Sequence, residues 1–224
     1  MPSHETRACV QVHMTSHLSR LTERYPALAS CASDIEAAFK LLHNLFSSGN
    51  KLLICGNGGS AADSEHMVGE LMKGFMKPRK ISAEAAAKIE KAGGAEGAAI
   101  AARLQGALPA IALTSQVSLN TAVANDTHAE MIFAQQVYGL GRKGDAVLGI
   151  STSGNSRNVI NAFIVARALE MKTVALTGRS GGLLPPFADI IIRVPADNVL
   201  EIQELHLPVY HTLCVELEDR FFPA

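Results

Sequence analysis

The stretch AVLGISTSGNS, from Ala146 to Ser156, passes from a short apolar run directly into a loop of four hydroxyl side chains around Gly154. An apolar run without polar alternation is typical of a strand buried on both faces, as in a parallel sheet covered by helices. Glycine lets the turn tighten, and the next helix starts with unpaired N–H groups and a partial positive charge. The stretch therefore predicts a strand and a phosphate-binding loop, with an ordinary loop capped by Ser156 as the alternative.

Four further apolar runs have near-strand length: Lys51–Cys55, Leu108–Leu113, Thr173–Leu176 and Ile190–Val194. Two of these runs also continue into glycine loops, CGNGGS and LTGRSGG. Strand, glycine loop and helix in alternation predict a doubly wound α/β fold with a parallel sheet, whose ligands bind beyond the carboxyl ends of the strands.

Helices are predicted on either side of this strand region. Val10 to Ser48 shows helical spacing that Pro26 divides into two segments, and Leu200 to Phe222 is predicted as one closing helix. Because Pro208 removes one backbone hydrogen bond, we expect a kink there or a helix start displaced towards it.

The segment from Lys77 to Gly106 differs from the rest because it is rich in alanine and is interrupted by Gly93 and Gly94. Alanine favours helix and the paired glycines break it, so the pattern predicts a helical hairpin laid over the sheet. A partly mobile surface excursion is the alternative.

Composition limits the class of protein. The chain has 224 residues, of which 48% are hydrophobic and 18% charged, as expected for one globular domain. Its net charge of -1 makes nucleic acid a poor first partner. The four cysteines lack C-x-x-C spacing, which favours reduced thiols. The N-terminus lacks the layout of a signal peptide and no apolar run is long enough to span a bilayer, so the sequence predicts a cytoplasmic protein without a membrane partner.

A second glycine loop, CGNGGSAADSEH, follows the first strand. It matches neither the dinucleotide fingerprint G-x-G-x-x-G nor the nucleotide-binding loop G-x-x-x-x-G-K-S/T. Gly58 and Gly59 would allow the backbone to approach a ligand, while Asn57 and Ser60 offer amide and hydroxyl donors. Two hydroxylic loops without lysine, both at the same edge of the sheet, predict a sugar phosphate rather than a nucleotide as ligand.

His66 and Glu70 are four residues apart on the helix predicted after this loop, which places both side chains on one helix face. The closing helix adds Gln203 and His211, eight residues apart, which share only a broad face of a straight helix. The four side chains would supply two imidazoles, a carboxylate and an amide oxygen, a set that zinc accepts, although a Gln ligand is unusual. On spacing alone, a plain His–Glu hydrogen bond is favoured over a metal site. His206 is interpreted as a core or interface histidine.

Isomerisation between an aldose and a ketose needs a base that removes a proton from the carbon beside the carbonyl, and an acid that returns one. Glu70 and His211 are the natural pair, since they combine a carboxylate with a group that titrates near neutrality. The same two residues cannot hold zinc tightly and also move protons freely without some exchange of roles.

Five motifs taken together resemble those of the phosphoheptose isomerases, a branch of the SIS-domain proteins: CGNGGSAADSEHMVGEL, AVANDTHAEMIFAQQV, GISTSGNSRNVINA, ALTGRSGG and IQELHLPVYH. The resemblance extends from about Leu18 to Phe222 and implies one SIS domain over residues 1–224, with a flavodoxin-like, five-stranded parallel sheet. It also implies a homotetramer with active sites at subunit interfaces. The implied reaction converts sedoheptulose 7-phosphate into D-glycero-D-manno-heptose 7-phosphate through an enediolate, the first step towards activated heptose for surface glycans.

The resemblance also assigns roles to residues of this chain. One zinc ion per subunit is implied at His66, Glu70, Gln203 and His211. The acid–base pair is implied to be Glu70 and His211, which agrees with the choice made from the residues. The implied positions for the sugar phosphate are Ser60, Ser151, Thr152, Ser153 and Ser156. Further positions that line the pocket are implied at Asn57, Asn125 and Asp126.

Three departures from the family pattern affect the expected specificity. Residues 78–103 form an insertion before the second strand. Gly74 stands near where the family has an arginine, and Leu200 stands where it has an acidic residue. The departures leave two alternatives open: isomerisation of another sugar phosphate, or a non-catalytic SIS protein that senses a sugar phosphate or binds a partner.

Overall fold

The computed structural model of the protein describes residues 16–223. All five predicted strands are present and lie parallel in one sheet, in the order β2-β1-β3-β4-β5. Their bounds are β1 Leu52–Gly56, β2 Ala110–Ala112, β3 Ala146–Ser151, β4 Lys172–Thr177 and β5 Ile190–Arg193. This is the flavodoxin-like order, so the predicted fold class is confirmed.

Eight α-helices surround the sheet in the described residues: α1 His17–Arg24, α2 Ala32–Ser47, α3 Gly59–Met72, α4 Ala83–Ala101, α5 Val117–Val123, α6 Ile132–Leu140, α7 Arg157–Ala168 and α8 Val199–Phe221. A 3-10 helix, Pro26–Cys31, separates α1 from α2, as the break predicted at Pro26 requires. A π-helical turn, Ala124–His128, follows α5. None of the helices among residues 16–223 combines the length and the apolar character needed to cross a membrane.

The strands are buried on both faces because alternate side chains enter two separate cores. Leu52 and Ile54 of β1 pack in the core shared with α2, α3 and α8, whereas Leu53 and Cys55 pack in the core shared with α6 and α7. This explains why the strands lack polar alternation in the sequence. His206 is fully buried, which confirms its interpretation as a core histidine.

The closing helix α8 runs without a break from Val199 to Phe221, with Pro208 buried inside it. The helix start is therefore not displaced towards Pro208. Asn198 caps it, since its side-chain oxygen accepts a hydrogen bond from the Glu201 N–H. Gln203 and His211 therefore lie on one continuous helix.

The alanine-rich segment forms a helical hairpin, as predicted. Gly94 has φ 58° and ψ -135°, a conformation that glycine adopts without strain, and it turns the chain between two arms of α4. The arms touch, because a Cβ on Gly97 would overlap the carbonyl oxygen of Ile89. The predicted position over the sheet is wrong, however. Gly97 is the one buried residue of α4, so the hairpin projects from the domain instead of burying a face against the sheet.

Deletion of residues 82–103, with a short glycine-serine linker between Ile81 and Leu104, should leave a soluble, folded protein. The hairpin buries little surface against the rest of the chain, and its stem is already closed by a bridge between Lys80 and Gln105. We expect the free energy of unfolding to fall by less than about 1 kcal/mol, in line with surface changes remote from the core. Urea unfolding measures this, and an insoluble product would contradict it.

Candidate active site

The glycine loop after β1 and the hydroxyl loop after β3 lie side by side at the carboxyl edge of the sheet. Asn57 in the first loop and Asn158 at the start of α7 exchange two amide hydrogen bonds, of 2.9 and 2.8 Å. Ser60 is buried in the first turn of α3. The two loops therefore lie at one edge of the sheet, as predicted.

The hydroxyl loop leaves the start of α7 free to bind an anion. The Ser156 side chain does not cap the helix; its hydroxyl instead lies 3.0 Å from that of Ser151. Gly154 has φ 67°, and a Cβ there would overlap the carbonyl oxygen of Gly181 in the loop after β4. An uncapped helix start beside converging hydroxyls is a suitable place for a phosphate.

A cleft of about 200 Å³ lies between the loops after β3 and β4 and the start of α8. Thr152 and Ser153 line one side of it, and Arg179 and Ser180 line the other. Arg179 donates through Nε to Asp197 over 3.0 Å. Sequence reasoning quoted the loop of Arg179 but gave that side chain no role, although an arginine directly after a strand at this edge is a recognisable signal.

A second group of side chains lies where α3 packs against α8. His66 Nε2 is 3.3 Å from Glu70 Oε1, and the rings of His66 and His211 are 4.9 Å apart, edge to face. The Phe75 ring packs against His211 at 5.2 Å. The structure therefore brings together both members of the predicted acid–base pair and adds His66 to them.

Two residues that sequence reasoning missed orient His66. The Tyr210 hydroxyl donates to Asp63 Oδ1 over 3.2 Å, so His66 Nδ1, 3.0 Å from the same hydroxyl, acts as the donor towards it. The other ring nitrogen, His66 Nε2, faces the Glu70 carboxylate. Asp63 stands one turn before His66, and that spacing could have identified it.

His211 is arranged to be neutral. Burial, helped by the neighbouring His66, lowers the pKa of its imidazole, while the Glu70 carboxylate opposes this in part. Its Nε2 is buried and has no hydrogen-bond partner among the described residues. His211 Nε2 is therefore available to a ligand, and unlike the unpartnered nitrogens of His206 it lies beside the Glu70 carboxylate's partner, His66.

Glu70 is buried apart from a small exposed fraction, and its other carboxylate oxygen accepts a hydrogen bond from Lys73 Nζ over 3.2 Å. Lys73 is itself exposed and also donates to the Gly74 carbonyl. Gly74 donates its N–H to Gln105 at the hairpin stem, so the insertion begins within a few residues of the carboxylate.

The four predicted metal ligands do not all meet. Gln203 lies beside Gly59, where a Cβ would overlap its side-chain amide, about two helical turns before His211. In the described part of the chain, no three His, Cys, Asp or Glu side chains stand as a group that could hold a metal ion. The donor chemistry of His66, Glu70 and His211 nevertheless suits zinc, because two imidazoles and a carboxylate are zinc ligands and His211 Nε2 lacks a partner among the described residues.

Asn125 and Asp126 lie exposed in the π-helical turn, and their side chains pair with each other over 2.8 Å. This bond reaches neither loop, so the predicted place of the two side chains in the pocket stays a prediction. Leu200 is also exposed, at the first turn of α8.

The loops and the acid–base group are well separated within one chain. Ser60 and Glu70 are ten residues apart on α3, which corresponds to about 15 Å along the helix axis. The start of α3, beside the two loops, and Glu70 therefore lie at different heights along the same helix.

Comparison with known proteins gives consistent matches. A model of the SIS domain family matches residues 16–107 and 95–178. The phosphoheptose isomerase of Akkermansia muciniphila is 38% identical over 208 residues, which cover 93% of this chain and 96% of that protein. That of Geotalea daltonii is 42% identical over 188 residues, or 84% of each chain.

Two solved structures match as well. The phosphoheptose isomerase of Francisella tularensis has a TM-score of 0.71 at 35% identity and covers 92% of this chain and 100% of that one. The phosphoheptose isomerase of Neisseria gonorrhoeae has a TM-score of 0.68 at 32% identity, and the match covers 89% of this chain and 94% of that one.

Proposed function

Since the chain belongs to the SIS-domain family, within its phosphoheptose isomerases, we propose that it interconverts sedoheptulose 7-phosphate and D-glycero-D-manno-heptose 7-phosphate. The chain is a sugar-phosphate isomerase. The observation that best supports the choice of residues is that Glu70 and His211 both lie against His66: Glu70 Oε1 is 3.3 Å from His66 Nε2, and the His211 ring packs on the His66 ring at 4.9 Å.

In this proposal Glu70 removes a proton from C1 of the ketose, and the electron pair of that C–H bond forms the C1=C2 double bond of an enediolate. His211 takes the proton of the C1 hydroxyl and delivers a proton to the C2 oxygen, which a neutral imidazole can do through its two nitrogens. Glu70 then returns its proton to C2, which yields the aldose.

The two loops hold the phosphate in this proposal. The hydroxyls of Ser151, Thr152 and Ser153, together with the uncapped N–H groups of α7, would donate to it. Ser60 and Asn57 belong to the neighbouring loop and would complete the donor set.

Ser153→Ala tests the phosphate site. We expect KM to rise about tenfold with kcat within about twofold, because the lost hydrogen bond to a charged group stabilises ground and transition states alike. Ser30→Ala, at an exposed serine of the 3-10 helix Pro26–Cys31, is the matched control. Steady-state kinetics measure both, and an unchanged KM for Ser153→Ala would mean that the phosphate binds elsewhere.

Zinc is proposed as the bound metal, with His66, Glu70 and His211 as ligands and Gln203 as a fourth that would have to approach from the first turn of α3. His66 Nε2 and Glu70 Oε1 lie 3.3 Å apart, and both are atoms that zinc accepts as ligands. When bound there, zinc would polarise the carbonyl oxygen of the sugar. Glu70 and His211 belong to both sets, so metal content and turnover have to be measured on the same sample.

A second copy of the chain is proposed to complete each site within a homotetramer. The helix rise from Ser60 to Glu70 is about 15 Å, so the loops and the acid–base group of one chain lie at different ends of α3. A site at a subunit interface would bring one copy's loops to the other copy's acid–base group.

The choice of sugar depends on residues that are unusual in this chain. Lys73, three residues after Glu70, donates a hydrogen bond to the Glu70 carboxylate, and Gly74 after it has no side chain. Residues 78–103 add the helical hairpin, which is proposed to be an insertion. Another sugar phosphate therefore remains the second candidate.

The experiment is incubation of the purified, zinc-loaded protein with sedoheptulose 7-phosphate, with the aldose product followed by NMR beside a metal-stripped sample. Product in the loaded sample alone would support both the reaction and the metal. Product in both would remove the metal requirement, and product in neither would reject this substrate and move the search to other sugar phosphates.

A further inference from the structure

A fully buried arginine donates hydrogen bonds to the C-terminal end of α3, the helix on which Glu70 lies. Arg79 has no exposed side-chain surface, and it donates through Nη2 to the Glu70 carbonyl and through Nη1 to the Leu71 carbonyl, both over 2.7 Å. These carbonyls belong to the last turn of α3, where backbone acceptors have no helical partner and a positive charge is favoured. The Phe222 ring covers the guanidinium, with Cζ 4.8 Å from its centre.

The partner of this arginine lies on α8. Arg79 Nε donates to Glu218 Oε1 over 2.7 Å, and the two Glu218 oxygens also accept the N–H groups of Phe75 and Met76 over 2.8 Å each. Burial alone would raise the pKa of Glu218, but these backbone bonds and Arg79 outweigh it and lower that pKa. Every polar atom of the pair shown here has a partner, as a buried ion pair requires.

The pair therefore ties together the three segments that meet at the acid–base group. Arg79 holds the backbone of Glu70, while Glu218 holds the loop whose Phe75 ring packs on His211. Glu218 stands seven residues after His211, two turns along α8.

We propose that Arg79 and Glu218 are a positioning pair that sets the separation between Glu70 and His211. The pair does not touch the substrate; it acts through the last turn of α3 and through Phe75. The role rests on the function proposed above. Because a misplacement of about 1 Å can cost about a hundredfold in rate, loss of the pair should lower kcat far more than it raises KM.

The chain offers a matched control at the opposite end of the sheet. Asp145, just before β3, is also buried and also accepts two backbone N–H groups, from Lys51 and Arg142, together with the Lys51 ammonium. Asp145→Asn therefore removes the same kind of buried carboxylate far from the loops and the acid–base group. It reports what such a loss does to folding alone.

The test compares Glu218→Gln, Arg79→Lys and Asp145→Asn in the full-length protein. We expect kcat to fall about ten- to a hundredfold in the first two, with KM within about threefold, and to stay within about twofold in Asp145→Asn. Crystal structures of the Glu218→Gln and wild-type proteins should show the Glu70 carboxylate displaced relative to the His211 ring. If Arg79→Lys fails to fold, Glu218→Gln carries the comparison.

A double-mutant cycle separates positioning from a merely structural role. Arg79→Lys added to Glu70→Gln should leave the residual turnover unchanged, because the carboxylate that Arg79 positions is already gone. A second loss as large as the first would overturn the proposal, as would an unchanged kcat in Glu218→Gln or an undisplaced Glu70. If the wild-type protein does not turn over sedoheptulose 7-phosphate, the proposed function fails, while the crystallographic displacement still decides on the pair.

Discussion

The Glu70→Gln protein should turn over about a thousand times more slowly than wild type, with KM unchanged within about threefold. The amide has the size of the carboxylate and can keep contacts with His66 and Lys73, but it cannot accept a proton from carbon. Binding of the sugar phosphate depends on the loops about 15 Å away along α3 and should survive. Steady-state kinetics, together with a direct Kd for the substrate, measure the two effects separately.

Glu65→Gln is the matched control, because Glu65 lies on the same helix but is exposed, and it accepts a hydrogen bond from Thr114. Its kcat should stay within about twofold of wild type, as for surface changes away from the site. Near wild-type turnover in Glu70→Gln would show that Glu70 is not the base. Asp63, which accepts a hydrogen bond from Tyr210, would then be the carboxylate to test next.

His211→Gln is the second large prediction, with a fall in kcat of about a hundredfold or more. The amide fills much of the space of the ring beside Phe75, but it cannot relay a proton between two oxygens. Stability should hardly change, since His211 Nε2 makes no hydrogen bond that the substitution would break. Thermal unfolding and kinetics are measured on the same preparation.

Metal content distinguishes the two roles proposed for His211. A large loss of turnover with full zinc content would assign His211 to proton transfer, whereas loss of zinc with the turnover would assign it to the metal. Unchanged turnover and unchanged zinc would contradict both roles. His128→Gln, at an exposed histidine of the π-helical turn, controls for a general effect of losing an imidazole.

The strands and loops were predictable because the five buried runs lack polar alternation and three of them continue into glycine loops, as strands do at the edge of a parallel sheet. The pairing of His66 with Glu70 followed from helical spacing. The approach of His211 did not, because it depends on how α8 packs along α3, and no local pattern encodes that contact. Asp63 and Tyr210 join His66 across the same packing surface.

The hairpin shows what composition alone leaves undecided. Alanine and paired glycines predict two short helices with a turn, and that local prediction was correct. Their position was not, because alanine-rich arms carry too little apolar surface to bury a face on the sheet, and the arms pack on each other at Gly97 instead. Arg79 and Glu218 are 139 residues apart in the sequence, so their pairing had no local signal at all.

The most direct test of the account is isomerisation of sedoheptulose 7-phosphate by the wild-type protein in D2O, with the product examined by NMR. Proton transfer through Glu70 predicts aldose that carries deuterium at C2, since the proton held on the carboxylate exchanges with solvent, and Glu70→Gln should abolish this incorporation. Aldose that retains only protium at C2, formed at an undiminished rate by Glu70→Gln as well, would indicate hydrogen transfer between the carbons without Glu70 and would contradict the account.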